Sequence, residues 1–539
     1  MERIFYNGKI LTMTGKDGAD EMRNAPEAVL VRDGVIAAVG LMRDIMQKSG
    51  GNAPKTDLDG KCLMPSFIDA HSHMLMNGQM SLFADLSGCQ SFEEIIGTLN
   101  HYQKQNNLST DDVLIGFGYD HNFLREEAHP DKRVLDQVSA NIPVFILHIS
   151  GHLACANSAA LALAQITEAT PDPEGGMIGR LPGGSEPSGY VEETAMQPLQ
   201  LAVMPRVKAD YAQMLQNMQE IYIKNGITTV QDGATTKNDL QTLMKVASSG
   251  QLKIDVVSYL LMSSGGKDLM KQYGAKYAHY HDRLKIGGYK LILDGSPQGR
   301  SAWMSRPYVG GAAGYCGYPW LADHAVDDYL STAVDEKKQI LAHCNGDAAS
   351  EQFITAYAKA LDENECKENF RPVMIHCQTV RDDQLERMAT LSMIASIFVG
   401  HVWYWGDVHV KNFGPERGNH ISPVKSALDR GVVVNFHQDT PVTKPDMLHS
   451  VWCAVNRISR TGNVIGAEQA VDVYDALRAV TVNAAYQYFE EDTKGSIETG
   501  KRADLVILDR SPLDVEPMDI RDIKVLETIK DGESIYCGI

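Results

Sequence analysis

Nowhere in its 539 residues does the chain run through about 18 apolar residues without interruption, the least that a membrane-spanning helix needs. Its opening, MERIFYNGKILTMTGKDG, brings a charge at once and no long apolar stretch, so no secretory leader is expected. Positive charge is in deficit. The 50 Lys and Arg stand against 69 Asp and Glu, the net charge is −19, and no basic cluster breaks that balance. Such a surface repels phosphate backbones and anionic membranes, which argues against nucleic-acid or membrane-surface partners. The nine cysteines (62, 89, 155, 316, 344, 366, 377, 453, 537) form no Cys-x-x-Cys pair. Scattered and odd in number, they suit the reduced thiols of a cytoplasmic protein better than a disulfide framework. A Gly-x-Ser-x-Gly elbow is missing, which weakens a serine-hydrolase reading. The glycine-rich turn at 310–314 follows no strand–helix phosphate pattern, and no repeat or low-complexity tract occurs.

What is present is apolar material for a large core, 44% hydrophobic against 22% charged residues. The length exceeds one ordinary domain but suits an elaborated barrel with an accessory domain. Short turn-punctuated β segments open the chain at 3–13 and 29–40, and similar segments close it at 495–509 and 525–536. Neither end can bury a sheet alone, so one small β-sandwich domain built from both termini is expected, from 1–61 and 491–539. Between them, 62–490 alternates short apolar runs with helical stretches, the rhythm of a parallel (β/α)₈ TIM-type barrel. Eight runs are candidate barrel strands: 62–73, 226–233, 255–262, 285–295, 339–347, 371–378, 393–401 and 432–439. About 150 residues separate the first two. They hold strand-like runs of their own at 113–120 and 144–150, and read as an insertion (about 76–215) over the barrel mouth.

Barrel enzymes carry their chemistry at the C-terminal ends of the strands, and there the polar residues gather. His71 and His73 close the first run, and residues two apart on a strand face one side, so both imidazoles can address one ion. His343, His376, His401 and Asp439 close the fifth to eighth runs. A single His-x-His pair would carry little weight in a chain with 17 histidines. A second pair, His279 and His281, lies in a charged stretch and reads as solvated surface. The ordered set is what points to a metal site.

The series PSFIDAHSH, KLILDGS, LAHCNGD, MIHCQ and HQDTPV resembles the amidohydrolase superfamily, and most closely the branch that contains N-substituted formamide deformylases. The flanking stretches LDGKCLMPSFIDAHSH, DPEGGMIGRLPGGSEPSGYVEETA and TVNAAYQYFEEDTKGSIETGKRADLVILD agree, so the resemblance spans nearly the whole chain. It implies that His71 and His73 hold a first metal, that His343 and His376 hold a second, and that Asp439 touches the first and acts as general base. It also implies a CO₂-carboxylated Lys290 bridging the two ions; otherwise Lys290 is a structural or substrate-binding lysine paired with Asp294. The chain departs from many relatives at His437, two residues before Asp439, which reads as a substrate contact, a partner of the base or a packed histidine. His152 and Asn157 resemble substrate-side residues of the branch, or else are turn and helix-cap groups. His401 and Trp403, with Tyr404 and Trp405, suggest an apolar or aromatic substrate group, or core packing.

The expected chemistry is hydrolysis of a C–N bond, of amide or N-formyl/N-acyl type, in a small molecule through metal-activated hydroxide. One or two divalent transition-metal ions are implied, zinc first, with manganese or iron suited to the same ligands. Deamination or opening of a cyclic amide is the alternative within the superfamily. A ligand-binding or regulatory protein on the same fold is the alternative outside catalysis. A homo-oligomer is compatible with the sequence.

Overall fold

The computed structural model describes residues 2–50, 52–207 and 211–538. At its centre eight parallel strands form the sheet of a TIM-like barrel: β1 (Phe67–Ile68), β2 (Ile227–Thr235), β3 (Asp255–Leu261), β4 (Leu284–Ile292), β5 (Gln339–Cys344), β6 (Val373–His376), β7 (Ile394–Ile397) and β8 (Val433–Phe436). Each of the eight expected runs supplies one. β5, β6 and β7 are buried at every position, as apolar strands must be when helices cover the outside of a parallel sheet. Helices such as 237–248, 323–335, 347–363 and 382–390 provide that cover between successive strands. The register aligns Ile292 with His343, Cys344 with His376, and His376 with Ile397, so the C-terminal ends of these strands lie level. Residues just beyond them share one rim.

The barrel has a seam. β1 and β8 share no ladder, and β1 is only two residues long. One backbone bond crosses toward β8, from His73 N–H to the Thr440 carbonyl (2.9 Å), while Ile68 N–H donates to the Val480 carbonyl at the end of the helix 473–479 (3.0 Å). Under the rim, Tyr488 packs with Tyr259, Leu341, Val373 and Ile375, and its hydroxyl donates to the Asp69 carbonyl. This buried cluster forms the floor of the site.

The first expected strand, 62–73, divides. Cys62–Pro65 joins a five-stranded sheet with Lys9–Ile10 and three strands from 505–537, and only Phe67–Ile68 enters the barrel. The chain passes directly between sheets: Ser66 N–H donates to the Asp504 carbonyl and Phe67 N–H to that of Gly226. With no turn between the halves, hydropathy shows a single run. A four-stranded sheet from residues 2–57 faces the five-stranded one across Phe5, Val29, Val31, Leu63, Leu505 and Ile529.

Between β1 and β2 lies a six-stranded mixed sheet, with strands at 84–85, 114–119, 144–148, 153–156, 176–180 and 187–193. Its alternate residues fill two separate cores. Ile115, Phe145 and Leu147 lie in one, and Leu114, Val144 and Ile146 in the other. Two of these strands match the expected runs at 113–120 and 144–150; the other four are too short or too polar to stand out. No described helix is long and apolar enough to cross a membrane.

Candidate metal centre and active site

Three imidazoles and one carboxylate meet at the barrel rim. His71 and His73 follow β1, His376 ends β6, and Asp439 lies three residues past β8. The Nε2 atoms of His71 and His73 are each 3.4 Å from Asp439 Oδ1, and His376 Nε2 is 4.0 Å from Oδ2. One donor atom each from His71, His376 and Asp439 fit within 4.8 Å of one another. His376 and Asp439 hold left-handed backbone angles, φ 69° and 54°. Such angles cost energy in residues with side chains, and here they turn both groups inward where their strands end.

The outer nitrogens of the rings fix which face carries a lone pair. His73 Nδ1 is 2.8 Å from the Gly233 carbonyl, which can only accept. His71 Nδ1 meets Gln231 Oε1, and the Gln231 amide is oriented by donating to the Ala70 carbonyl (2.9 Å). Both protons therefore sit on Nδ1, and both Nε2 lone pairs face Asp439. His376 Nδ1 is 3.2 Å from His437 Nε2, whose Nδ1 is 2.9 Å from Ser396 Oγ. If that chain donates outward, His376 presents a lone pair too. Asp439 Oδ1 is buried and has no hydrogen-bond donor. Two lone pairs and a carboxylate oxygen at 3.4 Å repel one another, and a cation among them removes the conflict. Borderline nitrogen and oxygen donors suit a zinc-class divalent ion.

The electrostatics agree with this. Burial holds the His71 and His376 rings well below the ordinary histidine range, and neighbouring Lys290 and His343, respectively, push further the same way. Burial also brings His437 down to about 3. Burial opposes ionisation of Asp439, and positive charge beside it, on a protonated ring or a bound ion, is what holds the carboxyl well below its usual range. Neutral imidazoles beside an ionised carboxylate are the protonation state that metal binding requires.

Lys290, on β4, is buried with Nζ 3.4 Å from His71 Nε2. Burial lowers it to about 7. It does not pair with Asp294, and no carboxylate among the described residues lies within ion-pair distance of it. Asp294 is engaged elsewhere: it accepts from the backbone N–H groups of Trp303, Asn345 and Gly346 and lies 3.2 Å from His343 Nδ1. His343 Nε2 is in turn 3.3 Å from the Asn345 amide nitrogen. The His343 ring packs 4.4 Å from that of His376, but both its nitrogens already have partners.

His152 comes from the insertion, with its ring 5.3 Å from that of His343 and its Nδ1 2.8 Å from Glu193 Oε2. Burial opposes protonation of His152, yet the Glu193 carboxylate prevails and raises it. Glu193, which the sequence reading did not single out, is buried with φ 51° and directs Oε1 at Gly295 after β4. Asn157 is a correction. Its amide caps the helix 158–163 by accepting from Ala160 N–H, accepts also from Val144 N–H, and donates to the Ser139 and Ile142 carbonyls. Nothing remains for a substrate, so the helix-cap reading describes it. His437 is fully buried, with Nε2 3.2 Å from His376 Nδ1, which is the hydrogen-bonded arrangement among its expected readings. His401 bonds His409 (2.9 Å) and packs on Phe398 and Trp405, while Trp403 turns outward against Trp452 and His449. A cleft of about 590 Å³ opens beside the insertion, lined by Gly176, Met177, Glu192, Arg300, Tyr315 and Tyr318 among others.

A parallel barrel with histidines and an aspartate at its C-terminal rim defines a metal-dependent hydrolase of the amidohydrolase superfamily. A sequence model of the Amidohydrolase family matches residues 56–536, and the chain belongs to that family. It is 28% identical to the N-substituted formamide deformylase of Arthrobacter pascens, over 96% of each chain. To the protein LONG AFTER FAR-RED 3 of Arabidopsis thaliana it is 27% identical, over 99% of this chain and 91% of that one. The crystal structure of an uncharacterized metal-dependent hydrolase from Pyrococcus horikoshii OT3 superposes with a TM-score of 0.74 at 25% identity, covering 96% of this chain and 99% of that one.

Proposed function

We propose that this protein hydrolyses the C–N bond of a small N-formyl or N-acyl amine at the barrel rim. The observation that carries the reading is the buried Asp439 Oδ1, without a donor and faced at 3.4 Å by two imidazole lone pairs. A divalent ion held by His71, His73, His376 and Asp439 would acidify a water molecule and polarise the scissile carbonyl. The ion is zinc, or manganese or iron on the same donors. Asp439 takes the proton from the attacking water and passes it to the departing nitrogen. His437 keeps the His376 proton on Nδ1, through the relay that ends at Ser396. His152, whose protonated form the Glu193 carboxylate favours, donates to the substrate from the insertion side.

Lys290 is the candidate for carboxylation. An amine brought down to about 7 by burial is substantially neutral near that pH, and only a neutral amine adds to CO₂. A carbamate there would offer an anionic oxygen on the side of His71, 3.4 Å from the amine, and so to the ion. Metal-stripped protein then reconstitutes better with bicarbonate present. The similarity to an N-substituted formamide deformylase supports a formamide as the first substrate to test. Purified enzyme should carry bound transition metal and cleave at least one member of a panel of N-formyl and N-acyl amines. Full turnover in thoroughly stripped enzyme would end the reading.

A further inference from the structure

The cleft beside the insertion holds one charge that the chain leaves unmatched. Two charged side chains line it, Glu192 and Arg300. Glu192 is provided for. Its Oε1 accepts the Tyr190 hydroxyl at 2.7 Å and its Oε2 the Tyr318 hydroxyl at 3.4 Å, and burial raises its carboxyl. Arg300 differs. Its Nε donates to Asn412 Oδ1 at 2.9 Å, but among the described residues its terminal nitrogens have no partner and no carboxylate lies within ion-pair distance. Asn412 is itself buried and fixed, since its amide donates to the Pro297 carbonyl (3.2 Å) and its own carbonyl accepts from Val309 N–H (2.8 Å). A guanidinium clamped at one nitrogen, with the others free, matches the two oxygens of a carboxylate.

The rest of the lining indicates what that carboxylate is attached to. Met177, Tyr315 and Tyr318 offer apolar and aromatic surface, and about 590 Å³ suits the body of a small molecule. A phosphate fits less well. Glu192 would repel a dianion that a single guanidinium cannot neutralise.

The cleft backs onto the wall of the metal centre. Glu192 precedes Glu193, which holds His152, and Pro319 precedes Trp320, whose ring lies 6.0 Å from that of His152. In this wall five buried polar atoms lack a hydrogen-bond partner: Glu193 Oε1, Ser296 Oγ, Gln298 Oε1, Trp320 Nε1 and Asn345 Oδ1. All five belong to the segment that leaves β4 or to residues touching it. Glu193 Oε1 is directed at Gly295, the Asn345 amide donates to the Gly295 carbonyl (2.9 Å), and Trp320 N–H donates to the Leu293 carbonyl (2.8 Å). The same segment ends in Gly299 and Arg300, which line the cleft. Unpartnered polar atoms are uncommon in a folded interior and costly, and their gathering between cleft and rim marks the course of a polar ligand.

We propose that the substrate carries a carboxylate remote from its scissile bond, bound by Arg300 in this cleft while the amide reaches the metal centre past Glu193 and Trp320. Its role as substrate rests on the hydrolase reading of the rim; the anion-binding cleft does not.

The test pairs formylated amines that end in a carboxylate with neutral partners of the same shape. Para-formamidobenzoate is set against para-formamidoacetophenone, and formylated ω-amino acids of increasing length against their methyl ketones. In the unaltered enzyme the best acid should exceed its neutral partner about 10–100-fold in kcat/KM, the worth of a hydrogen-bonded charge pair. Arg300→Gln should erase that preference, chiefly through KM, and Arg300→Lys should keep part of it. Calorimetry on folded Asp439→Asn reads the cleft apart from turnover: the acids should bind, and should lose affinity when Arg300→Gln is added. If no amide is cleaved but this Arg300-dependent binding persists, the hydrolase reading fails and the anion site stands. Neutral partners cleaved as fast as the acids would overturn the proposal, as would calorimetry in which Arg300→Gln changes nothing.

Discussion

The two ends of the barrel both bury charge, and they treat it in opposite ways. At the N-terminal end, Asp255 opens β3 between the ammonium groups of Lys494 and Lys530, each 2.7 Å away. Lys530 also reaches Asp504 at 2.7 Å, and Lys285 pairs with Glu490, which is 2.8 Å from Lys494. Every charge in that network has an opposite neighbour, and the network joins β3 and β4 to segments from the C-terminal region. At the C-terminal end, Asp439 faces imidazole lone pairs, and Lys290 has no carboxylate within reach. Matched buried charge acts as a strut. Mismatched buried charge, held in place by anchored neighbours, is a site waiting for a partner that the chain does not encode.

Substitutions at the two ends should therefore fail in different ways. Lys530→Met takes from buried Asp504 its ion-pair partner and from Asp255 one of its cations, and should cost about 3–5 kcal/mol in denaturant unfolding, with kcat of the folded enzyme unchanged. A loss under about 1 kcal/mol would deny the network its role as a strut. Asp439→Asn should do the reverse, lowering kcat about 10²-fold or more while the thermal stability of the metal-free protein holds or rises. Near-normal kcat would remove Asp439 as the proton carrier. His437→Phe breaks the relay behind His376 and should weaken metal affinity about 10–100-fold in chelator competition, with the fold retained. Unaltered affinity would leave His437 a packing residue.

The smallest effect concerns acid. Burial opposes ionisation of Asp255, but Lys494 and Lys530 prevail and hold its carboxyl well below the usual range. A depressed carboxyl contributes stability that is complete above its unfolded value, near ~3.9, and is lost as pH falls below that. Unfolding free energy should thus decline on acidification from about pH 4 downward, and Asp255→Asn should flatten that decline. An unchanged acid slope would assign it to other carboxylates.

Much of this contrast could be read from the sequence at one end only. The rim residues announce themselves because each polar group terminates an apolar run, and a parallel barrel turns strand ends into one place. The strut has no such signature: Asp255, Lys494 and Lys530 are polar residues in separate segments, brought together only by tertiary packing. Glu193 was out of reach, since it is set in place by a left-handed backbone angle and packs its carboxylate where a side chain at position 295 would lie. The division of 62–73 between two sheets was equally hidden, because both halves are apolar and no turn marks Ser66.

The seam between β1 and β8 gives the metal centre a mechanical side. His71 and His73 stand on one bank and Asp439 on the other, with the His73 N–H bond to Thr440 as the nearest backbone tie. An ion held by all three would be a clasp across the one gap in the ring among the described strands. Binding that favours the closed ring stabilises it in proportion to the logarithm of free metal over Kd, so loading and closure are a single equilibrium. Amide hydrogen exchange should show this locally: stripping the metal should speed exchange at His73 and Ile68, while the amides of β4 to β6, laddered on both sides, keep their protection. Uniform acceleration around the ring would mean that the barrel loosens as one body and that the seam is not its hinge.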